Sequence, residues 1–272
     1  MRGTARAFWK GEAMYRFYIG ASQKQGDTIE ITGEDVNHIK NVLRIRNGEQ
    51  FILCDGAGTD YLCELTGMRE RNLLAAVLEE RPSETELPVR LVLFQGLPKK
   101  DKMELIIQKA VELGAAEIVP VVTKRTIVKT EGGREEKKLA RWQAIAESAA
   151  KQSGRGVIPE VAPVCTWKEA LAQMENIEYN LILYENAHGM RPLAECLQAA
   201  PKKKSIGIFV GPEGGFTEEE AAELLAKGVA CLSLGRRILR TETAGLSMLS
   251  ALMLSIECAG EQEAPACGAE QE

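Results

Sequence analysis

The spacing of hydrophobic positions changes near residue 88, and this change predicts two regions in the chain. Before Pro88, short apolar runs such as MYRFYI, TIEIT and EQFILCD are separated by turn residues, which is the pattern of β-strands. From Val89 onward, strand-like runs such as VRLVLFQGL alternate with helical patterns. Such alternation is typical of βαβ units on a parallel sheet, which bind ligands at the carboxyl ends of their strands.

The first region carries five predicted strands, and their spacing predicts a small β-barrel. The sequence Asp55-Gly56-Ala57-Gly58 predicts a hairpin turn between the third and fourth strands. Thr32, with Asp35 three residues later, predicts the start of one short helix that leads to a basic stretch. The polar, proline-containing residues 79–87 predict a linker to the second region.

The stretch 205–246 contains two transitions from a strand through a loop to a helix. In the first, an apolar run ending at Val210 predicts a buried strand, and GPEGGF stops it because proline and glycine interrupt strands. Thr217 and Glu220 then form a capping box that predicts a helix start. An ordinary βα turn and a ligand-binding loop both fit this spacing. The glutamates after Thr217 disfavour a phosphate ligand, because they would repel it from the helix terminus.

The second transition repeats this layout about 25 residues later. The predicted strand 230–234 ends at Gly235, and RRILR follows before Thr241 or Thr243 can cap a long helix. The arginines of this loop form either a solvated face or a loop that faces an anion. The predicted helix, 244–256, is apolar on several faces, so we expect the domain core or a second subunit to cover it.

Composition limits the classes of partner. The chain has 272 residues and a formal net charge of −5, and a tail at 259–272 that contains glutamates and no basic residue accounts for much of this charge. We expect this tail to be disordered and residues 1–13 to be an extension before Met14. The remaining chain is close to neutral, so binding to a nucleic acid would depend on local basic patches.

The cysteine and histidine content argues against a metal centre. Seven cysteines are scattered without a C-x-x-C pair, and there are two histidines. This pattern predicts reduced thiols in a cytoplasmic protein, without metal. No uninterrupted apolar segment approaches 18 residues, so we expect no membrane span.

GPEGGF followed by LGRRILRTETA resembles the signature of the RsmE family of SPOUT-class RNA methyltransferases. Three further segments resemble the same family, namely HIKNVLRIRNGE, KMELIIQKAVELGAAEIVPV and AESAAKQSGRGVIPE. The resemblance implies an α/β chain with a PUA-like β-barrel at 14–86 and a parallel-sheet SPOUT domain with a trefoil knot at 87–258. It also implies a homodimer that uses S-adenosylmethionine to methylate N3 of a uridine in 16S ribosomal RNA of the small subunit.

The resemblance and the loop pattern together give candidate site residues. We expect the methyl donor to bind residues of the two loops, namely Gly211, Pro212, Glu213, Gly214, Gly215, Leu234, Gly235, Ile238, Leu239 and Thr243. We expect Arg240, and as a second candidate Arg155, to stabilise negative charge on the uracil. The expected RNA-binding residues are Lys40, Arg44, Arg46, Lys99, Arg125 and Gln152. No general base is identifiable from the sequence.

Two alternative functions remain at this point. The chain could be a SPOUT enzyme that methylates a ribose 2′-hydroxyl or another base, or it could be a noncatalytic RNA-binding protein on the same scaffold.

Overall fold

The computed structural model describes residues 6–9, 12–127, 135–184 and 192–263. The chain divides into two compact units. The first unit comprises Met1–Glu86 and Glu147–Ile158, and the second comprises Leu87–Ala146 and Pro159–Glu272. The segment 147–158, which we expected in the second region, therefore packs with the first unit.

The first unit is built on a seven-stranded mixed sheet. Its strands are β1 (Arg6–Trp9), β2 (Glu12–Tyr18), β3 (Lys24–Gln25), β4 (Thr28–Ile31), β5 (Gln50–Cys54), β6 (Thr59–Met68) and β7 (Leu73–Pro82). They lie in the order β1-β2-β5-β6-β7-β4-β3. The β2–β5 pair is parallel and the other pairs are antiparallel. A short helix, α1 (Glu34–Asn37), and a π-helical turn, His38–Leu43, follow β4.

The predicted extension contributes to this unit. Strand β1 lies within residues 1–13 and pairs with β2, and Trp9 is buried beside Ile52 and Leu62. The guanidinium of Arg81 lies 4.0 Å from the centroid of the Trp9 ring. A buried aromatic side chain under a cation stabilises the structure around it.

Local turn chemistry confirms one prediction in the first unit and corrects another. The predicted hairpin forms, because Asp55 Oδ1 accepts hydrogen bonds from the backbone N–H groups of Ala57 at 2.8 Å and Thr59 at 3.0 Å. Thr32 does not cap the short helix, since its N-cap residue is Gly33, which has no side chain to accept a hydrogen bond.

The second unit contains a parallel sheet with helices, as the alternating pattern predicted. Its elements are β8 (Arg90–Gly96), α2 (Lys102–Glu112), β9 (Ala115–Val122), α3 (Glu135–Ser153, which ends in the first unit), β10 (Glu160–Val161), β11 (Cys165–Thr166), α4 (Trp167–Met174), β12 (Tyr179–Leu183), α5 (Leu193–Ala199), β13 (Ser205–Val210), α6 (Glu218–Ala226), β14 (Ala230–Leu232) and α7 (Thr241–Glu263). The strand order is β10-β9-β8-β13-β12-β14, with β11 also paired to β9. All of these pairs are parallel.

The core of the second unit lies on the faces of the central strands. The rings of Phe94 on β8 and Phe209 on β13 stack at a centroid distance of 4.4 Å. Helix α6 begins after Thr217, whose side chain and that of Glu220 form the predicted capping box. The sheet and this cap position the loops that follow β13 and β14.

The last helix is longer than predicted. It begins at Thr241 and continues through Glu263, so residues 259–263 of the expected disordered tail are helical, and residues 264–272 lie outside the described part. Within the described residues, Thr241–Gly260 is the one helix whose length and mean hydropathy of 1.3 would suit a membrane span. One side of α7 packs against α2, α5, β8 and β13, as a core helix does, whereas Leu254 is exposed.

A buried ion pair in the first unit provides a test of its stability. The guanidinium of Arg16 binds both carboxylate oxygens of Asp60, at 2.7 and 2.6 Å, and the two side chains are 0% and 3% exposed. We expect Asp60→Leu to lower the free energy of unfolding by about 3–5 kcal/mol, because it leaves the Arg16 charge buried without a partner.

The measurement is urea denaturation of the single variant and of the double variant Arg16→Met/Asp60→Leu. The double variant should recover most of the loss, because apolar groups of similar size can replace a buried pair. The solvent-accessible pair between Lys203 and Glu178 supplies the control, and Lys203→Ala should lower the free energy of unfolding only slightly. A loss that small for Asp60→Leu would contradict the prediction.

Candidate functional site

The two predicted loops meet at the carboxyl ends of β13 and β14 and enclose one cavity of about 550 Å³. Gly214 of the first loop and Leu239 of the second both line it. Strand β12 lies between β13 and β14 in the sheet, so its end, Leu183 and Tyr184, also faces the cavity. The predicted residues among its lining are Gly211, Pro212, Glu213, Gly214, Gly215, Leu234, Ile238, Leu239, Arg240 and Arg125.

The first loop, residues 211–215, is shaped by close backbone contacts. A Cβ on Gly211 would lie 2.9 Å from the backbone of Gly215, and a Cβ on Gly96 would lie 2.7 Å from the backbone nitrogen of Pro212. Gly215 has a φ of 68°, a conformation that favours glycine. The loop therefore presents backbone with few side chains to the cavity.

Glu213 is held by the segment that follows β8. Its carboxylate accepts hydrogen bonds from the backbone N–H of Lys99 at 3.1 and 3.2 Å, and it lies 3.1 Å from the ammonium of Lys102. Burial would raise the pKa of Glu213, but its backbone hydrogen bonds and the Lys102 ammonium lower the pKa below its ordinary value. The hydrogen bond to Glu213 is the main reason why the pKa of Lys102 is raised.

Lys102 also connects the first loop to the start of α7. Its ammonium lies 3.2 Å from the carboxylate of Glu242, in the first turn of that helix. The acidic residue of the first loop is therefore neutralised by a cation that also contacts the other side of the cavity. Lys102 was not among the site residues predicted from the sequence.

Arg240 and Arg125 have different surroundings at the cavity. The guanidinium of Arg125 donates a hydrogen bond to the carbonyl of Gly214 at 2.6 Å and so supports the first loop. The guanidinium of Arg240 has no hydrogen-bond or ion-pair partner among the described residues, and the residue is exposed at the cavity. The whole guanidinium of Arg240 is therefore available to an anionic ligand, whereas one N–H group of Arg125 is already engaged.

Two residues predicted to bind the cofactor lie outside the cavity lining. Gly235 is exposed and turns the chain with a φ of 114°, and its N–H is held by the hydroxyl of Ser233. Thr243 is exposed on the first turn of α7, and Thr241 takes the buried place beside the cavity instead. For Thr243 the reason is that a shift of two residues along a helix moves a side chain to another face. Cofactor binding by Gly235 and Thr243 stays a prediction.

Arg155, the second candidate catalytic residue, belongs to the first unit. It is 6% exposed, and its Nε donates to the carboxylate of Glu86 at 3.2 and 3.3 Å. The same carboxylate accepts the N–H groups of Gly156 and Val157 at 2.9 and 3.2 Å. Within its own unit, Arg155 thus holds the segment 147–158 next to Glu86. Arg155 does not line the cavity.

The predicted RNA-binding residues divide between the units. Lys40, Arg44 and Arg46 are exposed around the π-helical turn of the first unit, and Arg44 has a φ of 56°. Gln152 is exposed near the end of α3, also in the first unit, and Lys99 is exposed in the second. In the described part of the chain, no group of three or more metal-ligating side chains lies together.

Comparisons with known proteins agree with the geometry of both units. Residues 85–253 match a family model described as an RNA methyltransferase domain, and residues 31–78 match one described as an RNA methyltransferase PUA domain. The chain is 38% identical over 251 residues to the ribosomal RNA small subunit methyltransferase E of Bacillus subtilis, covering 90% of this chain and 98% of that one.

Solved structures support the same relationship. The ribosomal RNA small subunit methyltransferase E of Neisseria gonorrhoeae, described as bound to S-adenosyl methionine, is 37% identical, with a TM-score of 0.74 and coverage of 89% of this chain and 97% of that one. A putative methyltransferase of Legionella pneumophila, described as a complex with the bound cofactor SAM, is 29% identical, with a TM-score of 0.68 and coverage of 88% and 97%. On this evidence the chain belongs to the ribosomal RNA small subunit methyltransferase E (RsmE) family of RNA methyltransferases.

Proposed function

We propose that this chain transfers a methyl group from S-adenosylmethionine to N3 of a uridine in 16S ribosomal RNA. The observation that carries the proposal is the junction of the glycine loop and the arginine loop in one cavity at the carboxyl edge of the sheet. The names of the relatives supply the class of substrate, and the resemblance of the two loops to the RsmE signature supplies the position on the base.

The cavity fits S-adenosylmethionine in shape and charge. The backbone from Gly211 to Gly215 can form hydrogen bonds with the uncharged polar groups of the ligand. There is no room for a side chain at position 211, because it would meet the backbone of Gly215. Glu218, in the first turn of α6, lines the cavity and disfavours a phosphate, whereas the charge of Glu213 is already balanced by Lys102. When bound there, S-adenosylmethionine supplies an electrophilic methyl group on its sulfonium. The residues that would hold it are Gly211, Pro212, Glu213, Gly214, Gly215, Leu234, Ile238 and Leu239.

Arg240 stabilises the negative charge that develops on the uracil base during methyl transfer. Uracil N3 gains nucleophilic character as it loses its proton, and negative charge then spreads onto the neighbouring carbonyl oxygens. An unpaired guanidinium at the cavity stabilises this charge, and it requires no rearrangement because no group in the described part of the chain competes for it. The cavity walls hold the base and the donor in register, which contributes much of the rate.

RNA binding is assigned to exposed basic residues of both units. Residues 14–86 form the PUA-like RNA-binding domain, with Lys40, Arg44 and Arg46 on phosphates, and residues 87–258 form the catalytic domain, with a trefoil knot. Lys99, Arg125 and Gln152 complete the contacts, and binding weakens as the salt concentration rises. The protein works in the cytoplasm as a homodimer, and the exposed apolar Leu105 and Leu254, on the packed helices α2 and α7, suit the subunit interface.

The first test concerns Arg240. We expect Arg240→Ala to lower kcat by about 100-fold or more, the scale of one lost oxyanion-type donor, and to leave the Kd for S-adenosylmethionine nearly unchanged. Arg237→Ala is the matched control, because Arg237 is exposed in the same loop but does not line the cavity. The measurement is methyl transfer to small-subunit RNA, with mass spectrometry of the modified nucleoside. Near-normal turnover of Arg240→Ala would refute the assignment.

The second test concerns the glycine loop. Gly211→Ala places a Cβ against the backbone of Gly215, so we expect the loop to shift and the affinity for S-adenosylmethionine to fall by about tenfold or more. Gly260→Ala, on α7, meets no neighbouring atom and should leave the affinity unchanged. Titration calorimetry measures both variants, and RNA binding measured in parallel should be retained. Equal donor affinity in the two variants would exclude the loop from the donor site.

The third test is the pH dependence of donor binding. A carboxylate whose pKa is lowered in the folded state contributes stability above its unfolded pKa and loses it as the pH falls through the folded pKa. Lys102→Met removes a cation that lowers the pKa of Glu213, so the effect of burial dominates and we expect this pKa to rise. Because the ionised Glu213 carboxylate holds the loop that binds the donor, donor binding should then be lost at a higher pH than in the wild type.

Lys99→Met is the control for this profile, because Lys99 holds Glu213 through its backbone N–H and not through its side chain. Calorimetric affinities for S-adenosylmethionine would be compared from neutral pH down to the acid limit of the folded protein. If the Lys102→Met and wild-type profiles coincide, Glu213 is not the titrating group.

A further inference from the structure

Gln95 is a fully buried carboxamide in a strand that is otherwise mostly apolar. It lies in β8, next to Gly96 at the end of the strand, and is 0% exposed. Its Nε2 donates hydrogen bonds to the carbonyl of Gly96 at 2.9 Å and to the hydroxyl of Thr241 at 2.8 Å. Its Oε1 is buried and has no hydrogen-bond partner within residues 6–9, 12–127, 135–184 and 192–263.

These contacts fix the direction of a chain of hydrogen bonds. The carbonyl of Gly96 can only accept, so the nitrogen of the carboxamide must face it, and the opposite orientation would set two oxygens together. The second N–H of the same nitrogen then points at the hydroxyl oxygen of Thr241. The hydroxyl of Thr241 in turn donates its own hydrogen to the carbonyl of Gly211 at 2.6 Å.

This chain of hydrogen bonds joins β8 to two segments that line the cavity. Gln95 belongs to β8, Gly211 is the first residue of the glycine loop, and Thr241 is the first residue of α7. Gly211 and Thr241 line the cavity, and Arg240 precedes Thr241 directly. The carboxamide therefore lies behind the cavity wall. Through Thr241 it connects the end of the arginine loop to Gly211, the start of the glycine loop.

Stability alone does not account for this arrangement. The unpaired acceptor destabilises the folded state and the two hydrogen bonds of the nitrogen stabilise it, so the net contribution of the carboxamide to stability is small. Residues that break a packing rule without a local gain are often found at functional sites.

We propose that Gln95 is a positioning residue for the methyl-donor site, acting through Thr241 on the glycine loop. By directing the Thr241 hydroxyl onto the Gly211 carbonyl, it holds the loop in the form that receives the donor and sets the turn that carries Arg240. This inference rests on the proposed function, since it assigns the cavity to S-adenosylmethionine.

The experiment compares Gln95→Met, Thr241→Val and the conservative Thr241→Ser. Titration calorimetry gives the affinity for S-adenosylmethionine, and thermal unfolding without the donor gives Tm. We expect Gln95→Met to bind the donor about tenfold more weakly or worse, with Tm lowered no more than in Asn180→Leu, a variant that likewise loses two hydrogen bonds from a buried carboxamide. Thr241→Val should lose as much affinity, and Thr241→Ser should retain it because the hydroxyl remains.

The double variant Gln95→Met/Thr241→Val tests whether the two residues act as one chain. Members of a single chain are not additive, so the double variant should lose no more affinity than either single variant. Separate losses that add would overturn the proposal.

Asn180 offers a matched control in the same sheet. Its carboxamide donates to the carbonyls of Met174 and Ile177 at 3.0 and 3.1 Å, and its Oδ1 is likewise buried without a partner. It lies near the amino end of β12, away from the cavity lining, so Asn180→Leu should leave donor affinity unchanged.

The outcomes separate this inference from the proposed function. If the wild-type protein does not bind S-adenosylmethionine, the proposed function fails. If the wild type binds and both Gln95→Met and Thr241→Val bind equally well, Gln95 has no positioning role and the proposed function stands. A lowered Tm with unchanged donor affinity would likewise show that the role is only structural.

Discussion

The cavity depends on one close backbone contact between the ends of neighbouring strands. Where β8 and β13 end, Gly96 lies against Pro212 with no room for a Cβ, and Gly211 lies equally close to Gly215. This contact folds the glycine loop back over the edge of the sheet, where it exposes peptide groups rather than side chains. The loop after β14 then closes the opposite side. A donor site for a ligand with both polar and apolar parts can be built in this way from backbone alone.

The electrostatics of the site follow from which charges have partners. Lys102 forms ion pairs with both Glu213 and Glu242, and Arg125 donates a hydrogen bond to the carbonyl of Gly214. Arg240 is left without a protein partner among the described residues, whereas Glu213 in the same cavity is compensated by Lys102. A guanidinium in that position can respond to charge that develops on a bound base, because it does not first have to leave another contact.

The buried polar side chains of Arg155, in the first unit, and Gln95, in the second, have different roles. Arg155 is satisfied by Glu86 and fastens the segment 147–158 within the first unit, which accounts for its burial. Among the described residues Gln95 is satisfied through its nitrogen only, and one of the groups that this nitrogen holds, Thr241, lines the cavity. Asn180 has a similarly unpaired oxygen away from the cavity, so it is the contact with Thr241 that points to a role of Gln95 at the site.

The sequence by itself determined the class of each unit and the two loops, because periodicity, capping boxes and glycine placement are local properties. Thr217 with Glu220 and the strand before Gly211 were readable in this way. The signature of the two loops also indicated the family. The tertiary structure decided which side chains meet. Lys102 and Gln95 joined the site because β8 neighbours β13 in the sheet, an order that periodicity does not encode. The tertiary structure likewise places Thr241, and not Thr243, beside the cavity, because a helix start shifted by a few residues turns other side chains toward a given face. It places Arg155 in the first unit, because the segment 147–158 packs there.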